Sequence, residues 1–516
     1  MASYLSGLSP VNAFPDYHGP YSVGTVDVEI PVADLPSPCE TPEGAQPTIA
    51  FRIFYPCVKP ARDHERAVRW VPQPQRLSVA ALIRFLGVKD RTASTLSYAM
   101  QQFYWIKIRA YRNAQMLDAP TTNGRWPVTV FSHGLAGSRN AYSYICGDLA
   151  SNGMVVIALD HRDGSSPVQY VRATASTEAR IIPTNKINHD ANDEVFEARD
   201  KQLRIRLWEI SMAYGALMKI DAGQKIENLD ENTSSRRKER VEVLLPFKDT
   251  LNIHRPGQVT FCGHSFGAAT MTQLVKAIYY SSELPNDAGK PLISPTAEAA
   301  IVQQITPHNP VLLLDLWCLP LKSPNQKWLW DRPLPSYAVG GCGGDNVLSV
   351  LSEGFHKWTQ NLDANKHIIA VPSRSSRASA PATFTRESRR QLPNWARIKD
   401  ESPSPDSGYA SQASQSPSRS PARSSNVSRP HMFYVEKSQH FNQSDFGILF
   451  PWVTKRFAKA EEPERILELN TRAMVQVMRK SGIEVAGKDD GEILDPDAGI
   501  RRWNAVAIRN GDGSTY

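Results

Sequence analysis

Apolar and polar residues alternate along GTVDVEI (24–30) and TIAFRIFY (48–55), the two-residue period of half-buried strands. PVTVFSH (127–133) and GMVVIALDH (153–161) are instead short continuous apolar runs closed by polar residues, as in parallel strands covered on both faces. Between them AYSYICGDLASNG has helical spacing and ends on a glycine stop. The alternation of element types continues. An amphipathic helix is predicted over 192–220, then the strand VTFCG and a helix after Ser265. PVLLLDLW (310–317) and PSYAVGG (335–341) follow as strands, HMFYVEK (431–437) as the last strand, and PERILELNTRAMVQVMRKSG as a closing helix. This order predicts an α/β fold, a mostly parallel central sheet with helices on both faces.

Residues 371–430 break the pattern. They hold sixteen Ser and eight Pro and few large apolar residues, too little to offset chain entropy, so a long disordered insertion is expected there. The expected organisation is an N-terminal tail (1–18), one domain built from 19–370 and 431–500, the insertion, and a C-terminal tail (501–516). Residues 78–109 mix apolar and aromatic positions with Arg and Lys, which suits an amphipathic helix resting on a phospholipid surface, or equally an ordinary amphipathic helix packed on the sheet. Phe103, Tyr104 and Trp105 are its expected lipid-facing residues, and peripheral membrane association is the expectation they carry.

Composition narrows the class. The 516 residues suffice for one large core. The first residues lack the basic start and apolar centre of a secretory signal, and no apolar run approaches the ~18 residues of a membrane span. Six scattered cysteines form neither a disulfide nor a zinc framework. A cytoplasmic protein follows as the expectation. Of the net charge of +7, residues 371–430 carry +6, ten Lys/Arg against four Asp/Glu. The remainder is near neutral and offers no continuous basic face for nucleic acid. Ser402, Ser404, Ser416 and Ser420 each precede proline, so kinases acting on the insertion are expected partners.

The chemistry centres on FCGHSFGAATMTQL, where Gly263-x-Ser265-x-Gly267 lies at a strand-to-helix turn. Such an elbow lifts a serine hydroxyl clear of the sheet. The serine needs a histidine to take its proton and an acid to orient that histidine, in the chain order serine, acid, histidine. Asp315 ends the run VLLL, at the carboxyl end of a strand, where ligand sites of open α/β sheets lie. Its rivals Asp331, Asp345 and Asp363 stand in turn-like or polar surroundings. Of the histidines after Ser265 (His308, His356, His367, His431 and His440), only His440 follows a strand by a few residues. Oxyanion amides are expected from Phe266, next to the serine, and from Leu135 in the loop FSHGLAGS. His133 is expected to order that loop, His264 to pack or hydrogen-bond, and His161-Arg162-Asp163 to form a salt-bridged loop, the alternative being that they brace the site or bind a head group. No His/Cys/Asp/Glu cluster has metal-ligand spacing, so no metal and no cofactor are expected.

Together VFSHGLAGSRNAYSYICGDLASNGMVVIALDHRDGSS, GHSFGAAT, LLLDLWCLPL and HFNQSDF resemble the platelet-activating factor acetylhydrolase family, as does the early GPYSVGTVDV. The resemblance runs in order over about 19–350 and 431–480. It implies an α/β-hydrolase fold and calcium-independent hydrolysis of short or oxidised sn-2 acyl groups from phospholipids. It also implies Ser265 as nucleophile, Asp315 as acid and His440 as base, with Leu135 and Phe266 giving the oxyanion amides. Ala268 stands where the family usually has glycine, and the Ser/Arg-rich insertion is outside the family pattern. A general carboxylesterase of the same fold and an inactive scaffold recruiting partners through the insertion are the alternatives. The complete set Ser265, Asp315 and His440 speaks against the scaffold.

Overall fold

Short runs rich in Val, Ile, Leu and Phe assemble one large sheet in the computed structural model, which describes residues 13–61, 67–85, 87–100, 102–285, 289–371, 428–487 and 489–508. The strands are β1 (Ser22–Pro31), β2 (Thr48–Cys57), β3 (Ala67–Arg69), β4 (Lys107–Arg112), β5 (Trp126–Ser132) and β6 (Val155–Leu159), with β7 (Val168–Val171) and β8 (Arg180–Pro183) forming a separate hairpin. They continue with β9 (Leu251–Asn252), β10 (Thr260–His264), β11 (Val311–Leu314), β12 (Val347–Ser352), β13 (His431–Val435) and β14 (Trp503–Ala505). The order across the sheet is β14-β13-β12-β11-β10-β5-β6-β2-β1-β4-β3, with β9 beside β5. From β13 through β6 every pairing is parallel, and antiparallel pairs join β2 to β6, β1 to β2, β3 to β4 and β14 to β13. This is the mostly parallel mixed sheet of an α/β hydrolase.

Alternate side chains of each central strand enter different cores. Val128 and Val130 of β5, Val155 and Ile157 of β6 and Leu313 of β11 face one core, shared with the helices α4 (Asp193–Asp221), α5 (Phe266–Tyr279) and α6 (Thr359–Ile369). Phe131, Val156, Ala158, Leu312 and Leu314 face the other, shared with α1 (Gln75–Phe85), α3 (Ser143–Ser151) and α7 (Pro463–Lys480). Burial on both faces is why these strands read as continuous apolar runs. Each fully buried Val or Leu contributes about 1.5–3 kcal/mol.

Three expectations change. PSYAVGG is not a strand: Pro335–Tyr337 is a 3-10 turn, and Gly340 turns the chain with φ 79°. The strand lies further on, as β12, where buried Ser349 and Ser352 obscure the apolar pattern. Residues 78–109 are not one helix. Gly87 (φ 94°) separates α1 from α2 (Asp90–Ala99), a single turn follows at Gln102–Trp105, and the chain then enters β4. The tails are partly built in. Phe14 is buried and His18 bonds Asp148 of α3, while Trp503 of β14 stacks on Phe433 (4.7 Å, 20°). The expected disorder falls on residues that, over 372–427, lie outside the described ones.

Candidate active site

The sheet has a switch point at β5. The chain leaves β5 for β6 on one side and later returns as β10 on the other, so the loops at the two carboxyl ends diverge and leave a crevice. Both predicted oxyanion segments lie there, one after β5 and one after β10.

Ser265 occupies the turn between β10 and α5 with φ 57° and ψ −118°, a strained conformation for a residue with a side chain. Its amide donates to Leu314 O at 2.8 Å, tying the elbow to β11. The flanking glycines are required by space. A Cβ at Gly263 would lie 2.4 Å from the Gly267 backbone, and one at Gly267 would lie 2.0 Å from Ser132 O. Helix α5 begins at Phe266, whose amide belongs to the first turn that a helix leaves without an internal acceptor.

Ser265 Oγ lies 3.0 Å from His440 Nε2, and His440 Nδ1 lies 2.8 Å from Asp315 Oδ2. Asp315 is fully buried, with φ 44°, and its carboxylate also accepts the Ser352 amide (2.5 Å) and hydroxyl (2.8 Å). The His440 ring lies between Phe355 (4.4 Å between centroids, 8° between planes) and His264 (4.4 Å, 31°). His440 stays about 29% exposed, so the constellation is open to a ligand from one side. The other histidines are engaged elsewhere: His308 with Cys342, His356 on Tyr434, His367 on Trp330, and His431 buried at the start of β13.

In the loop after β5, the Gly134 amide donates to the Tyr142 hydroxyl, Ala136 N to Ser165 O and Gly137 N to Gly134 O. Leu135 stands between these committed amides. Gly134 must be glycine, since a Cβ there would come within 2.9 Å of Ser265 Cβ. His133 Nδ1 bonds Gly134 O (2.8 Å) and its Nε2 accepts the His161 amide (3.1 Å), so it does order the loop. Arg206 of α4 reaches the same loop at His133 O (2.7 Å) and is held by Asp163 (2.6 Å).

Behind this loop lies a second serine–histidine–carboxylate set, Ser132 Oγ to His161 Nε2 (2.8 Å) and His161 Nδ1 to Glu209 (2.8 Å). Burial pushes the Glu209 carboxyl up to about 8 and the His161 imidazole well below its usual value. All three are buried, so this set braces the sheet instead of meeting a ligand. His161-Arg162-Asp163 thus form a buried polar network, with Arg162 held by Glu29 and Thr48.

Among the described residues, His264, Asp315 and His440 bring ligand-type atoms within 4.8 Å of one another. The His440 and Asp315 atoms are committed to each other, and His264 Nδ1 to Tyr142. A cleft opens beside the 134–141 loop at Ala136 and Ser138. Its lining combines apolar Trp70, Leu77, Val79 and Phe103 with polar Arg139, Asp160 and Gln169.

Of the three expected lipid-facing residues, Phe103 is buried and stacks on Phe450 (5.4 Å, 25°), a correction to the reading of this segment. Tyr104 is half-buried and bonds Ser97 O, and only Trp105 is exposed, with Arg69 over its ring at 4.5 Å. Tyr142, Ser352 and Phe355 escape sequence reasoning, since nothing local marks a Tyr, Ser or Phe whose partner comes from another loop. Among the described residues no helix is long and apolar enough to cross a membrane.

The chain is 27% identical over 515 residues to a Schizosaccharomyces pombe protein named provisionally as a phospholipase A2, covering 97% of this chain and 99% of that one. It is 30% identical to the platelet-activating factor acetylhydrolases of Canis lupus familiaris, over 262 residues, and Cavia porcellus, over 261. Each of these alignments spans 50% of this chain and 51% of the relative. A solved ferulic acid esterase from Streptomyces cinnamoneus aligns over 96% of this chain and 98% of its own, with a TM-score of 0.43 and 14% identity. Strand order, not that likeness, defines the fold here. The family model described as "Platelet-activating factor acetylhydrolase, isoform II" matches residues 6–333. With an elbow serine, a histidine and a carboxylate in one bonded line, the chain belongs to that family and is an ester hydrolase.

Proposed function

We propose that the chain is a calcium-independent serine hydrolase that removes short or oxidised sn-2 acyl groups from phospholipids. The observation that carries this reading is the continuous line Ser265 Oγ–His440 Nε2 (3.0 Å) and His440 Nδ1–Asp315 Oδ2 (2.8 Å), at an elbow beside an oxyanion loop. Ser265 Oγ attacks the ester carbonyl while His440 Nε2 takes its proton, and Asp315 holds the imidazolium that forms. The amides of Leu135 and Phe266 receive the charge that develops on the carbonyl oxygen. Collapse breaks the ester C–O bond, His440 returns the proton to the departing lysophospholipid, and water then releases the acid from Ser265. Two amides and a histidine carry every charge that develops, so no step calls for a Lewis acid. The cleft beside Ala136, lined by both apolar and polar side chains, suits one arm of an amphiphilic ester.

The test combines a fluorophosphonate probe, variants and a substrate panel. Ser265→Ala should lose labelling and activity with the fold intact, and His440→Ala should lose nearly as much, because the two act as a unit. Asp315→Asn should cost about 10⁴ in kcat through the wrong histidine tautomer. Phospholipids with acetyl or oxidised short sn-2 chains should be cleaved faster than long-chain ones, equally with and without a calcium chelator. Labelling that persists in Ser265→Ala would place the nucleophile elsewhere. Preference for water-soluble esters over every phospholipid would make the protein a general carboxylesterase, and loss in chelator restored by calcium would overturn the mechanism.

A further inference from the structure

Two residues outside the serine–histidine–aspartate line join its halves. Tyr142 is buried just before α3, and its hydroxyl accepts the Gly134 amide (3.2 Å) while lying 2.7 Å from His264 Nδ1. A tyrosine hydroxyl has one proton to donate. Among the described contacts, His264 Nδ1 is the acceptor within its reach, because the Gly134 amide is itself a donor. Any other arrangement would leave a buried hydroxyl proton unpaired, which is costly. Nδ1 is therefore the unprotonated nitrogen. The ring proton sits on Nε2, which faces the Asp315 carboxylate (4.0 Å) and the His440 main chain without a well-formed hydrogen bond to either.

This matters for the reaction proposed above, on which the inference rests. The His264 ring lies 4.4 Å from that of His440 at 31°. When His440 takes the serine proton, a cationic neighbour at that distance would oppose it strongly in a low-dielectric site. A neutral ring with its N–H toward Asp315 instead leaves the imidazolium unopposed and adds a favourable dipole at the carboxylate. Burial and the neighbouring His440 hold the His264 pKa well below the ordinary histidine value. We propose that Tyr142 locks His264 as the neutral, Nε2-protonated imidazole, and that the pair are positioning residues coupling the oxyanion loop at Gly134 to His440.

The experiment reads the tautomer directly, by NMR of protein labelled with ¹⁵N-histidine. The His264 signals are assigned by their disappearance in His264→Asn. In the wild type Nδ1 should resonate as an unprotonated nitrogen and Nε2 as a protonated one, unchanged from pH 8 to pH 5.5. Tyr142→Phe should move His264 to the Nδ1-protonated or exchange-averaged form. Its kcat should fall about tenfold, the worth of one well-formed hydrogen bond, with KM within twofold. A wild-type His264 carrying its proton on Nδ1, or on both nitrogens at pH 7, would overturn the proposal, and so would a Tyr142→Phe protein with unchanged tautomer and kcat. The wild-type spectrum decides even where the variant fails to fold. Because it needs no substrate, it stands apart from the labelling of Ser265 that tests the reaction itself.

Discussion

A histidine's environment decides whether it serves chemistry or stability, and this chain offers both kinds. His440 is partly exposed between two rings, whereas His431 is buried at the start of β13 with its Nε2 unbonded among the described residues. Burial, aided by Lys480 and Arg429, pushes the His431 pKa from 6.5 down to about 4. The folded value is below the unfolded one, so beneath pH 6.5 the unfolded chain takes up a proton that the fold refuses. The stability this group contributes is complete above pH 6.5 and is lost as pH falls toward 4. The slope is about 1.4 kcal/mol per pH unit at most. His431→Gln should therefore show a flatter loss of stability between pH 6.5 and 4 than the wild type, read from urea unfolding at several pH values. Parallel curves would mean that His431 is protonated within the fold. At this same scale the site was legible where position in an element carries meaning. Ser265 sits between obligatory glycines, Asp315 ends an apolar run and His440 follows a strand. Ser352, Phe355 and Tyr142 were not legible, because a hydrogen bond or stacked ring from a distant loop leaves no local mark.

Elements defined by strong periodicity were legible, and those defined by packing were not. β5, β6, β10 and β11 stand where their apolar runs place them, because both faces are buried. β12 was hidden by two buried serines, one of them the Ser352 that holds Asp315. The aromatic run at 103–105 shows how one short turn of helix divides its residues. Phe103 faces Phe450 in the core, while Trp105 stands 66% exposed, with Tyr98 and Leu96 of α2 also exposed. Phe103→Ser should therefore cost about 3–5 kcal/mol of stability by leaving a cavity in the core. Trp105→Ser should leave stability within about 0.5 kcal/mol, as a surface change does. If this turn meets phospholipid, the second variant should weaken vesicle co-sedimentation severalfold without slowing hydrolysis of a water-soluble ester. Undiminished vesicle binding by Trp105→Ser would remove this turn from any lipid-facing surface.

At the scale of the whole molecule, parallel strands give the sheet two unlike edges. The site is built at the carboxyl ends, from the loops after β5, β10, β11, β12 and β13. The insertion joins the fold at the other edge. Ile369, at the end of α6, accepts the Tyr337 hydroxyl (2.5 Å), and the Arg429 amide donates to Asp345, which precedes β12. Pro430 packs beside Gly344 and Tyr337, and His431 then starts β13 opposite Leu348. Both attachment points thus cluster around Tyr337 and Gly344, away from Ser265. Although the insertion precedes the strand leading to His440, strand direction sets its attachment points at the end of the sheet opposite the site. Closure entropy changes by only about 0.6 kcal/mol per doubling of loop length, so shortening the connection leaves the core nearly undisturbed. Deleting residues 373–429 should therefore keep hydrolysis of a soluble ester within about twofold of the full chain. The insertion's net +6 should instead show in binding to anionic vesicles, which the deletion should weaken and phosphorylation at Ser402, Ser404, Ser416 and Ser420 should weaken in the same way. A correctly folded deletion variant that no longer cleaves the soluble ester would make the segment part of the site.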